Sequence, residues 1–142
     1  MTDINEMKEI ARRFMEEVFS QHNLETADEL IADDFVDNDP FPGYPNDKKG
    51  AIEGFRSFLE AFPDMKATMH DLIAEGDRIA IHSTTSGTHL GEFLGIAATG
   101  KRVEMGGIDI VRIVDGKATE HWGIFDAMGM MQQLGVIPPP EG

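Results

Sequence analysis

The chain reads as one α+β domain, with N-terminal helices packed across a strongly bent antiparallel sheet to make a cone-shaped α+β barrel. Three observations predict this. Apolar residues recur at helical spacing through the first 62 positions. From Met65 onward the pattern turns to extended runs joined by short turns, which makes a meander. Gly106-Gly107 then falls inside a long β pattern, a device that marks a bulge or sharp bend and curves a sheet around something. A sheet curved over helices leaves a cavity.

Each element has its own signal. Asp3 followed by Glu6 forms a capping box, and Ile4, Met7, Ile10, Ala11, Phe14 and Val18 make one apolar stripe to about Ser20. A short second helix starts from Asn23 as cap and runs through Leu24, Ala27, Leu30 and Ile31. Residues Phe35 to Pro40 form a brief extended segment, because proline pushes its predecessor towards β geometry. The loop Phe41-Pro42-Gly43-Tyr44-Pro45 follows, with Phe41 and Tyr44 as candidates either to cover a cavity mouth or simply to pack on the core. A third helix from Asn46 or Asp47 buries Ile52, Phe55, Phe58, Leu59 and Phe62 until Pro63 stops it. Four strands are expected at Lys66 to Ala74, Arg78 to Thr88, Arg102 to Val114 and Lys117 to Phe125, the last two joined by the hairpin signal Asp115-Gly116. Ala127 to Leu134 makes a final helix, with Gly135 as its C-terminal cap. The domain is expected to span residues 1–135, and 136–142 to be a proline-rich surface arm.

Composition narrows the function. The 26 acidic and 12 basic residues leave a formal charge of −14, which opposes phosphate backbones and anionic lipid, so neither nucleic acid nor membrane is an expected partner. Acidic runs such as Asp37-Asn38-Asp39 read as solvated surface. The absence of cysteine excludes disulfides, thiolate metal sites and cysteine nucleophiles. The polar start, Met1 to Met7, has no signal-peptide character, and a cytoplasmic location is expected. The five histidines, His22, His70, His82, His89 and His121, have no metal-binding spacing, and neither a phosphate-binding loop nor a Gly-x-Ser-x-Gly elbow occurs. No metal or organic cofactor is expected.

Strand alternation sorts the polar residues of the C-terminal half. Thr119, His121, Gly123 and Phe125 share one face, while Glu120, Trp122 and Ile124 share the other. On the preceding strand Asp109 sits between isoleucines, and such a carboxylate is costly to bury unless it is paired or hydrogen-bonded. It is either a structural hydrogen-bonding group or, beside His121, half of an acid/base centre. His82, with Thr84 and Ser86, makes a polar stripe that faces either the cavity or solvent. Asn38 stands where the cone opens and is a candidate for holding a substrate oxygen. Tyr44, Trp122 and Asp126 are further pocket or rim candidates, although Asp126 also precedes the last helix and suits its N-cap. Met105, Met128, Met130 and Met131 are candidates for an adaptable apolar lining or for core.

The segments from Gly87 to Ile96, Thr99 to Lys101, and Gly107 to Ile110 resemble those of the SnoaL-like polyketide cyclases. Arg112 to Lys117, Glu120 to Asp126 and Gln132 to Gly135 complete a likeness that covers nearly the whole chain. These proteins share the cone-shaped superfamily fold named for nuclear transport factor two. The resemblance implies ring closure by an intramolecular aldol reaction on a polyketide ester, without metal or organic cofactor, and a homodimer paired through the outer face of the sheet. It also implies a histidine, here His121, followed shortly by a general acid/base aspartate. That position is Gly123 in this chain, so another carboxylate must do the work, and Asp109 is the expected one. A small-ligand-binding or dimerising module and, more remotely, an epoxide hydrolase remain alternatives within the same fold. The last would need an arginine inside the cone, and Arg112 has the wrong strand parity to join Asp109.

Overall fold

A computed structural model describes residues 2–138. Helix α1 (Ile4–Arg13) begins where Asp3 Oδ1 accepts a hydrogen bond from the Glu6 amide at 2.8 Å, and it buries Met7 and Ala11. The helix runs on to Ser20, but Phe14–Ser20 is π-helical and not α-helical as the spacing predicts, with the Gln21 amide bonding back to Glu16 O. Helix α2 (Leu24–Leu30) is capped by Asn23. Ile31, which its spacing assigns to that helix, is instead the first residue of strand β1 (Ile31–Asp37). Helix α3 (Lys48–Ala61) starts at Asp47, whose Oδ1 accepts from the Gly50 amide at 2.8 Å, and ends just before Phe62 and Pro63.

The four remaining strands, β2 (Lys66–Glu75), β3 (Arg78–Thr88), β4 (Arg102–Val114) and β5 (Lys117–Phe125), form the expected antiparallel meander. Helix α4 (Ala127–Leu134) closes the fold, and Gly135 takes the left-handed conformation (φ 78°) that ends it. The sheet order is β1-β5-β4-β3-β2. Two expectations change here. The sheet is not wholly antiparallel, because β1 adds to β5 in parallel. The ladder also passes through Gly106-Gly107 without a shift, pairing them with Thr84 and Ser83. The irregularities lie at His70 in β2, between the Met69 and Asp71 pairs, at Thr119 in β5, and between Ile31 and Val36 in the pairing of β1 with β5.

The sheet is curved but unclosed, and the helices fill its concave side. Met7, Ala11 and Met15 pack on Ile79, Ile81 and Ile113. Val18, Ala27, Phe35 and Ala51 pack around Ala118. Phe58, Phe62, Met65, Phe93, Met105 and Met130 fill the far end, while Met128 is exposed. His89 is fully buried, stacked on Phe62, with Nδ1 accepting from the Thr99 amide, so it pins the 89–101 connection to the core. The expected arm reaches Pro138, and its residues 139–142 lie outside the described residues. Among the described residues no helix is long and apolar enough to cross a membrane.

Candidate functional site

A cavity of about 190 Å³ lies between the helices and the concave face. Its walls come from α1 and its π-helical extension (Ile10, Phe14, Met15, Phe19), β1 (Ile31, Phe35, Asp37), α3 (Phe55, Phe58), β3 (Ile79, Ile81, Ser83, Thr85), β4 (Met105, Asp109, Val111) and β5 (His121, Gly123). The segment Asp39-Pro40-Phe41 and residues Ile124 and Phe125 complete it, at the side where β5 is exposed. Most of this lining is aliphatic or aromatic, which favours an apolar ligand.

The charged residues of the lining gather at one end. His121 Nδ1 donates to Asp37 Oδ1 at 2.8 Å, and Nε2 donates to Asp109 Oδ1 at 2.7 Å. Carboxylates accept and do not donate, so an imidazole held between two of them carries a proton on each nitrogen. Burial alone pushes the His121 pKa down. The hydrogen bonds and charges of Asp109 and Asp37 outweigh it and raise the pKa to about 9. The ring is therefore an imidazolium at neutral pH. Asp37 Oδ1 also accepts from the Asp39 amide, and Asp39 Oδ2 accepts from the Gly123 amide at 2.9 Å. The β1 end is thereby stitched to β5 around the histidine.

Gly123 is what lets Asp109 reach His121. The two residues face each other across the β4–β5 ladder. A Cβ at position 123 would overlap Asp109 Oδ1 and stand 2.7 Å from His121 Nε2. The carboxylate thus comes from the neighbouring strand and fills space that any larger residue at 123 would occupy.

The other expected site residues sit elsewhere. Asn38 is at the β1 end, but its side chain donates to Glu120 Oε2 and to His121 O, which fixes the strand junction and does not line the cavity. Tyr44 belongs to a second cleft with Pro42, Ser57 and Glu92. Phe41, its companion in the loop, does line the cavity. His82 lies on the convex face because Ile81 and Ser83 take the inward positions of β3, and it bonds Asp71 Oδ2 at 2.9 Å. Trp122 is on the convex face for the same reason, with the Arg78 guanidinium 4.5 Å from its ring centroid. Asp126 is exposed and caps α4, its Oδ1 accepting from the Gly129 amide at 2.8 Å. Among the described residues no arginine lines the cavity, and Arg112 is on the convex side, bonded to Glu120. Asp37 and Asp39 escape the sequence reading because they sit in an acidic run. The available signal was parity, since Asp37 shares a face with the buried Phe35.

The sequence and the fold have known counterparts. The family model described as SnoaL-like polyketide cyclase matches residues 9–134. Over 57 residues, 39% of this chain, the sequence is 44% identical to the aklanonic acid methyl ester cyclase DnrD of Streptomyces peucetius, and that match spans only 39% of DnrD. Among solved structures, IdmH from Streptomyces antibioticus is 36% identical with a TM-score of 0.78, covering 90% of this chain and 97% of IdmH. TsrD from Streptomyces laurentii is 27% identical with a TM-score of 0.88, covering 96% of this chain and all of TsrD. With the family match running from α1 to α4 and a fold shared almost end to end, the chain belongs to the SnoaL-like polyketide cyclase family.

Proposed function

We propose that this protein closes a ring in a neutral polyketide ester by an intramolecular aldol reaction, with Asp109 as general base and then general acid. The observation that carries the reading is the Asp37–His121–Asp109 array at one end of a mostly apolar cavity. One Asp109 oxygen is held by His121, and the other is the base. It takes a proton from a carbon next to a carbonyl; the resulting enolate carbon attacks a second carbonyl carbon of the same molecule. The carboxylic acid returns its proton to the alkoxide so formed. His121, cationic and oriented by Asp37, holds the Asp109 carboxyl in place and offsets the negative charge of the enolate. The apolar walls exclude water and fold the chain so that its two reacting carbons meet.

A relative's name suggests the probe. Aklanonic acid methyl ester, incubated with the protein, is expected to give a cyclised isomer of the same mass but different chromatographic retention. Asp109→Asn is expected to abolish turnover while keeping the fold, as read by circular dichroism. Undiminished turnover in that variant would sink the assignment.

The protein acts in this reading as a homodimer paired through the convex face. Ile73, Ala80, Ile110 and Trp122 form one cross-strand row there, next to Ile108 and Ile124. Ile73 and Ile124 are 66% and 77% exposed in the single chain, a cost that pairing with a second copy would remove.

A further inference from the structure

We infer that Ser83 is a second polar station of the cavity, which donates a hydrogen bond to a carbonyl oxygen of the ligand at a distance from the acid/base centre. This rests on the reading of the cavity as a substrate site. Ser83 is 4% exposed, lies on the cavity wall, and makes no side-chain hydrogen bond to any described residue. The other buried hydroxyls are satisfied: Thr2 Oγ1 accepts from the Gly116 amide at 2.9 Å, and Thr26 Oγ1 donates to Glu17 at 2.9 Å. Nor is the Ser83 oxygen sealed into the wall, since it is not among the fully enclosed unpartnered atoms. An unused donor in such a place carries a penalty that alanine would avoid, and a ligand acceptor would relieve it.

Its position fits that role. The preceding cavity-facing residues of β3, Ile79 and Ile81, are apolar, so the hydroxyl at 83 breaks the character of its own face. Opposite it stands Gly107, which puts no side chain between the hydroxyl and the cavity, while Asp109 pairs with Ile81. Ser83 and Asp109 are therefore diagonal neighbours across the ladder, with side chains starting about 7 Å apart. Among the described residues no lysine or arginine lines the cavity, so hydroxyl donors, Ser83 and beyond it Thr85, beside three aspartates select an uncharged oxygen over a carboxylate. The ligand so described is apolar and neutral, with one oxygen at the Asp109–His121 end and a carbonyl several bonds away.

Two probes of matched shape test this: 9-fluorenone, which has one carbonyl, and fluorene, which has none. The dissociation constants of both are measured by calorimetry for the wild type and for Ser83→Ala, together with each melting temperature. The wild type is expected to prefer fluorenone. Ser83→Ala is expected to weaken fluorenone binding about three- to tenfold, leave fluorene unchanged, and keep or raise the melting temperature. A preference for fluorenone that survives in Ser83→Ala, or a melting temperature that falls with fluorene affinity, overturns the inference while leaving the cavity reading intact. If the wild type binds neither compound, the cavity reading fails and this inference with it.

Discussion

At position 123 only a hydrogen stands where every other residue carries a Cβ, and the space is taken by Asp109 Oδ1. Gly123→Ala is therefore expected to drive the carboxylate from His121. Turnover should fall by about a hundredfold or more, the scale of general acid–base assistance, and the His121 ring protons, followed by NMR, should titrate well below 9. The same raised pKa links the ring to stability. Its folded value of about 9 lies above the ordinary histidine value of 6.5, so the stabilisation is complete below about 6.5, declines as pH rises, and is gone once pH has passed 9. The melting-temperature advantage of wild type over His121→Asn should follow that course, and an advantage that grows with pH would contradict it. Asp37→Asn removes one negative charge beside the ring and should move the alkaline limb of activity downward from about 9.

Among the elements, the meander was legible because its punctuation is local: Gly76 and Gly116 both take positive φ at their turns, and the strands between them keep a period of two. Strand parity named Asp109 and His121 as candidates but did not join them: an unbroken ladder from the Asp115-Gly116 turn would set Asp109 opposite Trp122, and the extra residue at Thr119 moves it opposite Gly123, on the face of His121. The π-helical stretch was not legible, since over seven residues the apolar spacing of Phe14, Val18 and Phe19 suits either winding. The parallel pairing of β1 was hidden as well, because its partner is β5, made more than eighty residues later, and no local signal reports it. That hidden pairing brings Asp37 to His121, which is why the centre could be half read from strands β4 and β5 but not completed. Asp126 shows the opposite case, where the capping pattern was readable and the structure uses it. Asp126→Ala is expected to cost about 1 kcal/mol in denaturant unfolding and to leave fluorene affinity unchanged.

For the whole molecule, the sheet separates two surfaces of different character. The concave side holds the cavity, and the convex side carries the apolar rows bordered by Glu75, Arg78, Arg112 and Glu120. If the convex side is where two copies meet, Ile110→Lys should shift sedimentation from dimer to monomer at micromolar concentration while each chain keeps its circular dichroism. A wild type that sediments as a monomer throughout that range would rule the dimer out. The formal charge of −14 works against such pairing, so added salt should strengthen association. The seam between β1 and β5 also has a consequence in time. His121 follows Asp37 by 84 positions, and the Gly123 amide closes on Asp39 from the same late strand. A chain emerging from the ribosome has helices α1 to α3 and its first acidic arm long before it has the histidine. The Asp37–His121–Asp109 array is thus completed only by the last strand to be synthesised, and a product stopped before β5 carries both carboxylates without the imidazole that joins them.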